Sequence, residues 1–176
     1  MKKGRKILLC SLLLFLMLSN TGYANKKDEG SIESEEPMTT EELYKSMGYT
    51  KAEKAVQKYE NKFDTNINFP KVMPFQAKLQ FGKIEDNRLT LEFIGESKKQ
   101  LFKIHVEPSN STKQLTNKKL KDGTEVFIKH VGPNPNKPSI SWLHLKRDNQ
   151  KYGLGLNYYK KDVRQDKLIK AAESLQ

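Results

Sequence analysis

Three histidines are the groups best suited to acid–base or metal chemistry near neutral pH in this 176-residue chain. His105, His130 and His144 fall on three different predicted strands, and no His-x-His, His-x-x-x-His or His-Glu-x-x-His pair joins them. A three-histidine metal site would need those strands to bring the rings together. Each ring would also need a partner to fix its orientation. The spacing supplies neither, so no metal and no other cofactor is expected. Carboxylate chemistry needs two acids converging in one cleft. Glu92, Glu107 and Glu125 are the acids on predicted strands, each alternating with apolar residues on a solvent face where single acids are ordinary.

Nucleophile and phosphate motifs are missing as well. There is no Gly-x-Ser-x-Gly, and no Ser-x-x-Lys comes with a recognisable partner set. Gly153-Leu154-Gly155 lies within a strand and opens no helix, so it is no dinucleotide fingerprint, and no phosphate loop is present. The single cysteine, Cys10, belongs to an apolar leader; beyond it there is no thiol for a disulfide, a zinc–thiolate site or a nucleophile. No catalytic residue is expected, and a hydrolase stands only as a third reading.

A binding surface asks less of the sequence. Lysines at 98, 99, 113, 118, 119, 121, 160 and 161, with Arg164, collect in predicted turns and loops. The candidate ligand-binding residues are Lys118, Lys119, Lys121, Tyr158, Tyr159, Lys160, Lys161 and Arg164, with Tyr152 close by. Such a surface would meet anions diffusely and weaken with salt; the competing interpretation is a lysine-rich surface kept for solubility.

The elements that must position these residues follow from patterning. Residues 1–24 carry a basic start (Lys2, Lys3, Arg5, Lys6), a 12-residue apolar run from Ile7 to Leu18 and a small-residue exit at Gly22-Tyr23-Ala24. This is the pattern of a secretory signal peptide cleaved near Ala24. The run is short of the roughly 20 residues that a membrane span needs, and Leu9 before Cys10 argues against lipidation. Residues 25–38 are acidic and poor in core-forming side chains, which predicts a disordered linker. Residues 28–42 hold seven acids and no base, whereas residues 43–176 hold 26 basic against 14 acidic residues, a net of +12.

Residues 39–176 are expected to form one α+β domain, helical over 39–64, sheet over 69–160 and helical over 162–176. Thr39-x-x-Glu42 and Thr50-x-x-Glu53 both match the capping box, with a break near Gly48 between them. Ala52, Ala55, Val56, Tyr59 and Phe63 share one helical face, and Lys51, Lys54, Lys58 and Lys62 the other. Strands are predicted at 75–81, 88–94, 100–107, 124–131, 139–147 and 151–159. The short polar turns between them argue for a curved antiparallel meander of five to seven strands. In the third of these strands, Phe102, Ile104 and Val106 share one face and Leu101, Lys103 and His105 the other. A final helix should lay Val163, Leu168, Ile169, Ala172 and Leu175 on the sheet, with the only tryptophan, Trp142, at the centre of the core.

Trp142, then Tyr152, Leu154 and Leu156, then the run from Leu168 to Leu175 (Leu-Ile-Lys-Ala-Ala-Glu-Ser-Leu) resemble the end of a domain of unknown function. That domain occurs in secreted and membrane-anchored Bacillus-type proteins, and Phe69-Pro70 looks like its start. The resemblance implies a non-enzymatic, extracytoplasmic domain with no catalytic residues to carry over. The expectation is therefore an exported, secreted or wall-associated protein of a Gram-positive envelope. It would bind an apolar or anionic ligand, an envelope lipid or wall polymer, and no nucleic acid. The alternative is a regulatory domain docking on a membrane protein partner. Oligomeric state is not set by the sequence.

Overall fold

Alternation of side chains along six long strands builds a single eight-stranded antiparallel sheet. The structure is a computed structural model, and it describes residues 37–97, 99–109, 116–132, 139–157 and 159–176. The expected leader, most of the acidic linker, residues 133–138, Lys98, Lys113 and Tyr158 lie outside those residues. Helix α1 (Thr40–Ser46) leads to β1 (Thr50–Lys51), α2 (Ala52–Phe63), β2 (Leu79–Glu85), β3 (Arg88–Ile94) and β4 (Leu101–Pro108). Then follow β5 (Lys118–Lys119), β6 (Glu125–Val131), β7 (Ile140–Arg147), β8 (Gln150–Leu156) and α3 (Lys161–Glu173). The α+β class and the antiparallel sheet are as expected. Its two additional strands, β1 and β5, have two residues each.

Strand order departs from a simple meander. The order is β1-β2-β3-β4-β8-β7-β6-β5, two meanders that meet where β4 pairs with β8. The meeting places Phe102 opposite Leu156, Ile104 opposite Leu154 and Val106 opposite Tyr152. Two of the tight turns are two-residue loops with both residues at positive φ, Asp86-Asn87 and Asp148-Asn149. That conformation matches the twist of the flanking strands, and Asn and Asp tolerate it well.

Because the side-chain period is two, register gives the sheet an inner and an outer face. On the inner face lie Leu89, Leu91 and Phe93 of β3, Phe102, Ile104 and Val106 of β4, and Tyr152, Leu154 and Leu156 of β8. Leu143 and Leu145 of β7 and Val126 and Ile128 of β6 complete it, all buried. Helix α2 covers one half through Ala52, Ala55 and Tyr59, and α3 the other through Leu168, Ala171 and Ala172. Gly82 lets α2 approach: a Cβ there would stand 2.5 Å from the Ala55 Cβ and 3.3 Å from the Ala52 Cα.

Four expectations are corrected. Trp142 is not in the core; it pairs across to Gly155 on the outer face, out of phase with the buried Leu143 and Leu145. Val163 is exposed, and Arg164 takes its place in the buried stripe of α3. The Thr50 capping box does not form. Thr50 instead pairs with Gly82, and α2 starts from Lys51 with no side-chain cap, whereas the Thr39–Glu42 box is complete. Finally, β2 runs over 79–85 rather than 75–81. The chain before it is held irregular by Pro70 and Pro74, and the strand runs on through Gly82 to the Asp86 turn.

Candidate functional site

The outer face collects the polar, aromatic and titratable residues of the strands. Across its middle, register sets Phe81, Glu92, Lys103, Gly155, Trp142 and Lys129 in one row. The neighbouring row reads Lys83, Thr90, His105, Gly153, His144 and Phe127. Two glycines thus sit at the centre of the face, both on β8, where every inward residue is large.

The aromatic side chains lie over those glycines. A Cβ on Gly155 would come within 2.8 Å of the Trp142 six-membered ring, so the indole lies across bare backbone. A Cβ on Gly153 would stand 3.3 Å from His144 Nδ1 and 3.6 Å from the His105 Cβ. The His105 and Trp142 rings are 4.7 Å apart, Trp142 and His144 are stacked at 6.0 Å, and Phe127 extends the series 6.4 Å from His144. A groove of about 250 Å³ opens over Gly153 between the two histidines, bordered by Arg88, Glu107, Lys146 and Lys151.

The electrostatics of the groove are cationic with uncharged walls. Burial, with the charges of Arg88 and Lys103 nearby, pushes the His105 imidazole down to about 4. Desolvation moves the more exposed His144 in the same direction. Both shifts favour the neutral imidazole at pH 7. Arg88 donates to Glu107 from Nε at 3.0 Å and from Nη2 at 2.9 Å, and Lys151 stands 3.9 Å from the same carboxylate. One acid therefore faces three cations, and Lys146 has no ion-pair partner among the described residues.

At the other end the outer face is closed. Helix α1 lays Tyr44 on Phe81, with ring centroids 4.2 Å apart and the planes 15° from parallel. Beneath it Glu92 is 4% exposed and accepts from Tyr44 Oη at 2.7 Å, Tyr49 Oη at 3.0 Å and Lys103 Nζ at 2.6 Å. Burial would raise the Glu92 pKa, but the hydrogen bonds from Lys103 and Tyr44, the Lys103 charge and Tyr49 outweigh it and hold the carboxyl below its ordinary range. Burial, with Glu92 close by, holds both tyrosines well above theirs. Glu92 is thus no solvated acid, as its alternating strand predicts, but the anchor of α1.

The residues singled out from the sequence fall elsewhere. Lys118 and Lys119 form β5, and Lys121 stands in the following turn, 3.6 Å from Glu173 at the far end of α3. Lys160, Lys161 and Arg164 lie at the start of α3, beside Tyr159. Lys118 pairs with Val126, whereas Arg164 reaches Ser141 opposite His130, about 13 Å further along the same strand at 3.3 Å per residue. The length of α3 separates the two groups, so they do not form one patch. Arg164 is buried, donating to Ser141 Oγ from Nε at 2.8 Å and to the Tyr159 carbonyl. Tyr159 stacks under Lys167, 4.8 Å from its Nζ.

Ser141 Oγ and His130 Nδ1 are 2.7 Å apart, a nucleophile–base separation. Ser141 is fully buried and also receives the Arg164 bond, so the pair braces α3 against β6 and β7. His130 faces inward, away from His105 and His144, and the described residues contain no group of three or more metal-ligating side chains. Among them, too, no helix is long and apolar enough to cross a membrane. The sequence does hold a signal for the groove that its turns and loops do not. Gly153 and Gly155 share the strand phase that leaves Trp142, His144 and His105 on one side.

No protein-family model, no curated protein and no solved structure matches this chain.

Proposed function

We propose that this chain is a non-enzymatic binding module of the cell envelope, and that it holds an anionic envelope polymer on the outer face of its sheet. One observation carries the reading. A concavity over the sheet centre is walled by His105 and His144, both displaced toward the neutral imidazole, and bordered by Arg88, Lys146 and Lys151 against one acid. A groove with a cationic border and apolar walls concentrates anions and strengthens each contact with them. The net charge of +12 over residues 43–176 favours the same class of ligand, and the leader-like first 24 residues favour export.

The groove takes over the role first given to the loop lysines. Of those, Lys119 and Lys121 stand beside acids, and Arg164 is buried. A second reading, a regulatory domain docking on a membrane protein, draws on the exposed Met38, Leu43 and Met47 around α1. The test is retention of the full chain on an immobilised anionic wall polymer at two salt concentrations. The Debye length falls from about 10 Å at 0.1 M to about 3 Å at 1 M, so binding should be lost at the higher salt. Lys146→Glu with Lys151→Glu should abolish it, while Lys118→Ala, Lys119→Ala and Lys121→Ala together should leave it in place. The opposite pattern would return the site to the loops, and retention that ignores salt would remove the anionic reading.

A further inference from the structure

We infer that the ligand of the outer face is a phosphate-bearing glycan, with a sugar ring lying on the Trp142 and His105 surface while its phosphate meets Arg88, Lys146 and Lys151. The inference rests on the proposed anion-binding groove and narrows its ligand class. A border of cations alone would accept any polyanion. What surrounds it here is an aromatic shelf: the indole laid across Gly155, His144 stacked 6.0 Å from it and the tilted His105 ring at 4.7 Å. Glycine within a strand commonly marks the close approach of another group, and β8 has two, both on this side, in phase with the aromatic rings.

The shelf suits a saturated ring better than a lipid chain or a bare phosphate chain. The face of an indole carries negative charge density, and the axial C–H bonds of a pyranose present a positive face to it. The uncharged imidazoles and Glu107 supply acceptors and donors for hydroxyl groups around the same ring. The groove of about 250 Å³ shares His105 and His144 with the shelf, so that ring and anion occupy adjacent places. A phospholipid would instead ask for an apolar cavity to take its chains, and the face above β4 and β8 has a backbone floor.

Trp142 is the only tryptophan, so its emission reports on this shelf alone. The full chain should be titrated with a phosphodiester-linked hexose oligomer, with inorganic polyphosphate of equal phosphate number, and with neutral dextran. The sugar phosphate should shift the emission to shorter wavelength and bind about tenfold more tightly than polyphosphate, the worth of one aromatic stacking contact. Trp142→Ala, followed by calorimetry, should erase that tenfold preference and leave the polyphosphate affinity unchanged; Trp142→Phe should keep part of it. Equal affinity for the two anions would overturn the sugar inference while the anion-binding reading stands. Failure to bind either anion would overturn both. Dextran binding as tightly as the sugar phosphate would overturn the role given to the cations.

Discussion

The two faces of one sheet share every strand and every register, yet their side chains answer to different demands. The inner face is continuous: Leu91, Ile104, Leu154 and Leu143 stand in a single row under α2 and α3, none with exposed surface. The outer face changes character along its rows. Glu92 is sealed under α1 with Lys103 held to it, whereas further along the same row Trp142 is partly open and Lys129 exposed. Packing explains the first arrangement in full. It also accounts for Gly155 and Gly153, which make room for Trp142 and His144, but not for the gathering of those rings with His105 and Phe127 beside a cationic groove.

The contrast breaks most sharply on the largest side chains. Phe102, fully buried on the inner face, should cost about 3–5 kcal/mol of stability when changed to alanine, the usual loss for a core aromatic. Trp142→Ala removes a larger side chain from the outer face and should cost about 1 kcal/mol or less, as a substitution outside the core. Denaturant midpoints compare the two directly. If Trp142 proves the costlier, the outer face is a second core.

Glu92 sharpens the comparison within the outer face. Glu92→Ala leaves two tyrosine hydroxyls and the Lys103 ammonium without their acceptor and should destabilise by about 2–3 kcal/mol, since Lys103 can still turn partly to water. It should also release α1, whose amides would then exchange faster with solvent. Unchanged exchange in α1 would mean that the Tyr44–Phe81 stacking alone holds the helix.

A pair of glycines carries the contrast to the backbone. At Gly82 an added methyl would meet Ala55 and the Ala52 backbone, which cannot yield, so Gly82→Ala should cost about 1–3 kcal/mol. At Gly155 the three atoms nearest the methyl all belong to the Trp142 ring, which can swing away. Gly155→Ala should therefore cost less stability, but it should change Trp142 emission and weaken anion binding. A Gly155 variant with native emission would show that the indole does not rest on β8.

The remaining prediction concerns pH, and it is read as a slope rather than as a midpoint. The folded His105 pKa, about 4, lies below its ordinary 6.5, so the unfolded chain takes up a proton in that interval that the folded chain refuses. Stability from this group is complete above about 6.5, falls as pH drops from there to about 4 and is flat below. His130 and His144 are displaced in the same direction. Glu92, held below its ordinary 4.5, adds its own loss only in stronger acid. His105→Gln should flatten the slope between pH 6.5 and 4; an unaltered slope would place the titration elsewhere.

Much of this architecture was legible in the chain, and what was not had physical reasons. The alternation of Phe102, Ile104 and Val106 with Lys103 and His105 places β4 correctly, and the Asp86-Asn87 and Asp148-Asn149 turns mark their hairpins. Trp142 looks like a core residue by size alone. Its phase with His144, and opposite Leu143 and Leu145, sets it outside. The sealing of Glu92 carries no local signal, because Tyr44 and Tyr49 arrive from 48 and 43 residues away, on α1 and just after it, and where they land is a tertiary fact. Lysines at 118–121 and 160–161 are conspicuous in the sequence because they cluster there, yet α3 holds the two groups apart.

The central claim is that the open half of the outer face is where this protein binds. Amide and indole chemical shifts of the full chain, followed while a phosphate-bearing glycan oligomer is added, test it most directly. Gly153, Gly155 and the Trp142 indole N–H should move first and together. Shifts confined to Lys118–Lys121 or Lys160–Arg164, with the two glycines unmoved, would contradict it.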